Sequence, residues 1–443
     1  SALDGLRHRP DQLPAYAAVN AVRLRPAVGH LTRIGAATVL AGVGTGLAVL
    51  LLVWVVHSIE HLVWGEGHGP FLDGLAQPSV FWLPLVAVSA AGVIAAVGCY
   101  LIRRFGRPVA SVEQAVAGRR MPALETLVDT VLQVVSVALG ASIGKEVAPR
   151  ELAAMASSKV VHWFRLTPRW RRILIASAAG AGLAAVYNVP LGGAVFAVEI
   201  LLGEFSIAAA VTALAVSAIA TLVARPLVGD QSLYDLGTIE VNASLLVAAV
   251  VIGPLMGIVA TSFVAATKRL SAFRPTGWKL LVVLPVVFAG VGAVGMVFPL
   301  ILGNGRALAT AGFELSEPVV LLLILAVLKY VATTLSLGAG AIGGTLQPSV
   351  AIGAALGAAA AAGWALLWPG ASGTGLAVVA AAAFLAANMR APFTAIALII
   401  EFTNTGFSLL LPIFLAVAGA LAVAGLLKRG GLAGFTPVDP GRE

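Results

Sequence analysis

The stretch Gly140-Ala141-Ser142-Ile143-Gly144-Lys145-Glu146-Val147-Ala148-Pro149-Arg150-Glu151 lies between two long apolar segments and holds a carboxylate where ionised groups are hardest to keep. Its small residues and glycines permit close backbone approach and unusual dihedrals. The pattern predicts a helix start here, with Glu146 in the first turn and Pro149 at a position where a missing N–H does little harm. A carboxylate so placed faces the positive end of a helix dipole and several unpaired N–H groups. The same geometry holds a free anion. Glu146 therefore reads as a tethered anion that competes with a mobile one.

The surroundings of this stretch decide the class of protein. Of 443 residues, 59% are hydrophobic and only 11% charged, with a mean hydropathy of +0.99. A water-soluble domain cannot cover itself with so few charges. Uncharged runs recur at Ile34 to Val56, Gly74 to Ile102, Phe205 to Ala224, Val241 to Thr267, Leu280 to Gly305 and Phe402 to Leu427, and one, from Tyr330 to Met389, extends over 60 residues. A helix of about 20 apolar residues crosses a bilayer, so the chain reads as an all-α polytopic membrane protein whose partner is the lipid bilayer.

The net charge of +8 is clustered at Arg103, Arg104, Arg107, Arg119 and Arg120, at Arg165 to Arg172, at Lys268 to Lys279, and at Lys428 and Arg429. Intervening loops carry acids: Glu60, Glu66 and Asp73, then Asp230, Asp235 and Glu240, then Glu314 and Glu317. Basic clusters face the cytoplasm, which predicts a plasma or inner membrane location with both termini inside and gives the positive charge a role without nucleic acid. The single cysteine, Cys99, excludes an intrachain disulfide and any cysteine-based metal site. No cofactor or resident metal is expected, and no enzyme activity.

The stretch has a counterpart. Ala141-Ser142-Ile143-Gly144 and Pro149 match Gly340-Ala341-Ile342-Gly343 and Pro348 at an offset of 199. Downstream, Leu183-Ala184-Ala185 with Pro190 and Glu199 match Leu385-Ala386-Ala387 with Pro392 and Glu401 at an offset of 202. Two motifs in the same order imply a duplicated half. The expected organisation is a cytoplasmic N-terminal segment (1–33), two transmembrane repeats (34–226 and 227–428) and a cytoplasmic tail (429–443). Pro190 to Ile200 and Pro392 to Ile400 are too short to span and read as half-helices packed inside protein. Broken helices at corresponding places in two halves are a pointer to a transport site near the midplane.

These residues resemble the CLC family of chloride channels and chloride/proton antiporters over roughly residues 34 to 428. Gly343-Gly344-Thr345-Leu346-Gln347-Pro348 is similar to the family's GGxFxP segment, whose amides bind the anion, with Leu346 in place of the aromatic residue. Gly144-Lys145-Glu146 is similar to G-[KR]-E, whose glutamate is the external gate; Val147-Ala148 then stand where Gly-Pro is usual. Asn188-Val189-Pro190-Leu191-Gly192-Gly193 is similar to N-x-P-L-x-G. The resemblance implies two inverted repeats with broken and re-entrant helices, a homodimer, and one anion path per subunit. By that carry-over Gly144, Lys145, Val147, Gly344, Thr345, Leu346, Gln347 and Pro348 line the path and Glu146 gates it. Three departures stand out. Ile200 occupies the place of an internal proton-transfer glutamate. Arg107 occupies that of the serine in the first anion motif, which adds a fixed, anion-binding cation to the lining of the path at its inner end. No tyrosine after the last span matches the inner gate.

Each assignment has a plainer rival. For Glu146 it is a mere helix cap; for Lys145, an interfacial lysine that snorkels; for Arg107, one more basic residue on the inner side. Glu199, the candidate for a substitute proton pathway, has a helix-end carboxylate as its rival. Asn188, Tyr187 and Arg390 read as satisfying broken-helix backbone. His57-Ser58-Ile59-Glu60-His61 fits H-x-x-E-H, a zinc-protease pattern, but lies at the end of the first span, where a polar interface belongs. The expected function is transport of chloride or a similar small anion; proton-coupled exchange and a passive channel both remain open, with an intramembrane zinc protease as the remote rival.

Overall fold

The computed structural model describes residues 13–65 and 80–429, with side chains from residue 29 onward. The expectations for residues 1–12, for the loop acids Glu66 and Asp73 and for the tail beyond 429 lie outside the described residues.

Among the described residues there are sixteen α-helices and no named strand. The first eight are α1 (Leu13–Trp64), α2 (Leu83–Phe105), α3 (Val112–Val116), α4 (Ala123–Ala138), α5 (Val147–Trp163), α6 (Pro168–Tyr187), α7 (Pro190–Phe196, continued by a π turn Ala197–Leu202) and α8 (Ile207–Val228). The second eight are α9 (Ala243–Ala272), α10 (Leu280–Val297), α11 (Arg306–Glu314), α12 (Val319–Gly338), α13 (Leu346–Leu367), α14 (Gly373–Met389), α15 (Pro392–Thr403) and α16 (Leu410–Arg429). Eight of the described helices are long and apolar enough to cross a membrane: α1, α2, α8, α9, α10, α12, α13 and α16. The long uncharged run is not one element; the Ala339–Thr345 and Trp368–Ser372 turns cut it into the end of α12, then α13, then α14.

Local chemistry sets the breaks. Pro168, Pro190 and Pro392 open α6, α7 and α15 within the first two helical positions, where proline has no donor to lose. Ser111, Ser206, Asn242 and Ser372 accept N-cap hydrogen bonds. Asn188 and Arg390 end α6 and α14 in the same left-handed conformation, each with φ 55°, at equivalent places in the two halves.

The packing repeats as well. α1 lies on α6 and α8, and α9 lies on α14 and α16. A Cβ at Gly42 or Gly46 would strike α8, and one at Gly253 or Gly257 would strike Ala416 or Ala420 of α16, so a small-xxx-small face closes the same helix pair in each half. Across the halves, Glu199 accepts from the N–H groups of Phe393 (3.2 Å) and Thr394 (2.7 Å), while Glu401 accepts from those of Leu191 (3.0 Å) and Gly192 (2.6 Å). Such reciprocity is what a two-fold relation between halves produces. An antiparallel bridge between Gly144 and Gly344 lies on the same relation, and the repeat is inverted.

Candidate functional site

The two glycine turns that the repeat predicts as equivalent meet. Gly144 N–H donates to Gly344 O and Gly344 N–H to Gly144 O, both at 2.9 Å. From this bridge α5 and α13 begin, so two helix N-termini and their unpaired donors lie beside it.

Glu146 occupies the N-cap of α5 with φ −70° and ψ −15°, one residue before the expected first turn, and makes no capping bond to its own helix. Its side chain crosses instead to the other half. Oε1 accepts the Leu346 N–H at 2.8 Å, Oε2 is buried without a partner, and the residue is 1% exposed. A Cβ on Gly344 would overlap Oε1, and one on Gly144 would overlap both carboxylate oxygens. Glycine at both places is thus a steric condition for the carboxylate's position, beyond any demand of the turn itself.

A buried cation braces the turns. Lys329 of α12 is fully buried, and its Nζ donates to Ser142 Oγ (3.0 Å), Ile301 O (2.9 Å) and Gly303 O (2.7 Å). These three bonds use every proton of an ammonium group. Gly303 N–H in turn donates to Gly140 O at 2.9 Å. Lys329 falls one residue before the long uncharged run, and the one sequence signal that marks it is a lone cation inside an otherwise apolar 20-residue helix.

The other expected residues separate into those at the bridge and those away from it. Val147 and Leu346 are the first helical residues of α5 and α13. Thr345 Oγ1 accepts from Asn388 Nδ2 at 3.1 Å. Gln347 is fully buried, with Nε2 on the Tyr234 hydroxyl (2.8 Å) and Oε1 unpartnered. Pro348 is buried in the first turn of α13. Lys145 Nζ lies 5.8 Å from the Tyr187 ring centroid, with Glu60 and Arg306 as charged neighbours. Arg107 is elsewhere: it sits on the exposed turn after α2, where its backbone N–H donates to Glu125 Oε1 at 3.0 Å. The Glu199 carboxylate caps α15, and also accepts from Thr394 Oγ1 at 2.6 Å. Asn188 Nδ2 satisfies the carbonyls of Asp230 and Gln231. His57, Glu60 and His61 stay on the last turns of α1, and among the described residues no group of three or more His, Cys, Asp or Glu is arranged to hold a metal.

Chemically, the start of α13 presents a backbone donor suited to negative charge, and the Glu146 carboxyl group sits on it. The Leu346 N–H is pre-aimed, the α13 dipole adds positive potential, and neighbouring apolar side chains exclude water. A small anion would accept the same hydrogen bond once the carboxylate left.

The sequence profile described as voltage gated chloride channel matches residues 91–425. A Ralstonia nicotianae protein described as chloride channel protein ClcB-like is 30% identical over 401 residues, covering 85% of this chain and 90% of that protein. The H(+)/Cl(-) exchange transporter ClcA of Yersinia pseudotuberculosis is 26% identical over 408 residues, covering 86% and 85%. A solved slow cyanobacterial Cl−/H+ antiporter superposes with a TM-score of 0.78 at 24% identity over 89% of this chain and 95% of its own. The profile spans both glycine turns and most of both halves, and on that ground the chain belongs to the voltage gated chloride channel (CLC) family.

Proposed function

We propose that the protein carries chloride or a similar small anion across a membrane along a path past the Gly144–Gly344 bridge, with Glu146 as gate, and exchanges the anion for protons. The observation that carries this reading is the Glu146 carboxylate seated on the Leu346 N–H. An ionised Glu146 fills the site and blocks it. A like charge arriving nearby favours the neutral carboxyl; protonated, it leaves the amide and the anion takes its place. One side chain thus links proton occupancy to anion occupancy. The H+/Cl− exchange by which the Yersinia pseudotuberculosis relative is described agrees with this cycle.

In this reading Gly144, Val147, Gly344, Thr345, Leu346, Gln347 and Pro348 form the wall of the site. Lys145 raises the potential of its approach, and Arg107, exposed on the basic side, draws anions toward the mouth. Glu199 acts as a cap of α15 and not as a proton relay. The working unit is a homodimer in the plasma or inner membrane, with the basic clusters and both termini in the cytoplasm. One observation favours a passive channel instead: Ile200 offers no acid where an internal proton carrier would stand.

Reconstitution into liposomes under a chloride gradient, with anion and proton fluxes read together, separates the two. Proton movement against its own gradient is expected. Anion flux with no proton movement makes the protein a channel, and no anion flux in either direction removes the proposal.

A further inference from the structure

A second set of ionisable side chains is buried between α4 and α5. Gln133 of α4 is 1% exposed, and its Nε2 donates to Asp129 Oδ2 (3.0 Å), one turn earlier on the same helix, and to Glu151 Oε2 (2.9 Å) on α5. Asp129 and Glu151 are 6% and 8% exposed. Among the described residues neither carboxylate has a basic nitrogen within ion-pair distance; Arg150, beside Glu151, pairs with Glu113 at 3.4 Å and lies over the Phe196 ring. The Gln133 Oε1 is buried and accepts no hydrogen bond.

Two carboxylates joined through one amide in an apolar interior do not both stay ionised. The amide's oxygen and nitrogen are interchangeable by a flip, and the two orientations differ in the protons they call for. As placed, both N–H groups serve the two acids, and the oxygen awaits a donor that a carboxyl O–H can supply. Flipped, the oxygen would face both acid oxygens and call for a proton on each, so the orientation that donates to both is the one that goes with a single proton.

The geometry points to a proton-binding site made by Asp129, Gln133 and Glu151, which holds one proton shared by the two carboxyls on the basic side of Glu146. Uptake forms one O–H bond on a carboxylate and release breaks it, with no other bond changed. Glu151 lies five residues along α5 from Glu146, about 7–8 Å by the helical rise, toward the Arg165 end. α4 enters from the Arg119-Arg120 turn, with Asp129 on that side. The site thus stands between the gate and the basic face. The charged or titratable groups acting on the pair are Arg150 on α5, Glu113 on α3, and Arg103 and Cys99 on α2. α1 and α6, which also pack against α5, present none among the described residues. The site's place in transport rests on the proposed proton exchange; its protonation does not.

The test uses the full chain in liposomes. In a Glu146→Gln background, an infrared carboxylic-acid C=O band is expected at neutral pH, displaced by Gln133→Leu and removed by Glu151→Gln together with Asp129→Asn. A band untouched by these substitutions, or no band, overturns the site. With Glu146 intact, Glu151→Gln is expected to reduce gradient-driven proton movement about tenfold or more, of the order of one pH unit of occupancy, while anion flux stays within about twofold. Equal proton movement in wild type and Glu151→Gln overturns the placement on the route. If wild type moves no protons while the band behaves as expected, exchange falls and the site stands. Asp129→Asn gives the same readouts should Glu151→Gln fail to fold.

Discussion

Gly144 and Gly344, one from each half of the chain, exchange backbone hydrogen bonds at 2.9 Å in both directions, and a Cβ on either would overlap the Glu146 carboxylate. The fold's pseudo-symmetry and its most confined acid therefore meet at one point. Two short bonds hold together the starts of α5 and α13 and leave between them a volume that a carboxylate fills.

Gly344→Ala tests that confinement. The methyl group takes the space of Oε1, so Glu146 loses the Leu346 N–H and anion flux loses its pH dependence. Overpacking at a rigid turn costs about 1–3 kcal/mol, read as a fall of a few degrees in melting temperature in detergent. Wild-type pH dependence in this variant contradicts the steric argument.

Glu146→Gln isolates the titration. With a single gating carboxyl, wild-type flux rises as pH falls, by up to about tenfold per pH unit for one titrating group. Glutamine is neutral at every pH, so the variant's flux is flat. A remaining slope like that of wild type assigns gating to another group.

Lys329→Met keeps the length and apolar volume of the side chain and removes its three donors. Ser142 Oγ, Ile301 O and Gly303 O are left without the ammonium group, at about 1–3 kcal/mol for each acceptor that stays buried and unpaired. A large drop in melting temperature is expected, with early hydrogen exchange in residues 140–145. Unaltered stability and exchange would mean that the ammonium group does not brace the turn.

Glu199→Ala and Glu401→Ala each remove one reciprocal cap, between α7 and α15. A loss of about 0.5–2 kcal/mol each follows from the cost of uncapping a helix, measured by thermal unfolding. Proton-coupled flux is expected to persist in Glu199→Ala. If it is abolished there and kept in Glu401→Ala, Glu199 carries protons after all.

Arg107→Ser probes attraction at the basic mouth. Because Arg107 is exposed, its field is screened over about 8 Å at physiological ionic strength. The variant slows anion entry from that side at low salt and matches wild type at high salt. A deficit that salt does not relieve would place the guanidinium in direct contact with the anion.

Apolar runs too long and too numerous for a soluble core are a property of composition, and the membrane class follows from them. Glycine, proline and one acid in a repeated order mark helix starts because backbone dihedrals and the lost N–H of proline are local matters, so Glu146 and the Gly343–Pro348 turn were legible without coordinates. The donor that Glu146 meets, the Leu346 N–H, is set by a bond across the two halves. The clamp by Lys329 and the union of Asp129 with Glu151 through Gln133 are likewise decided only in three dimensions. A lysine at the edge of an apolar run and two acids on neighbouring helices have no periodicity that reveals what they face. What a buried polar group touches depends on which helices pack together, and that is settled by the tertiary structure.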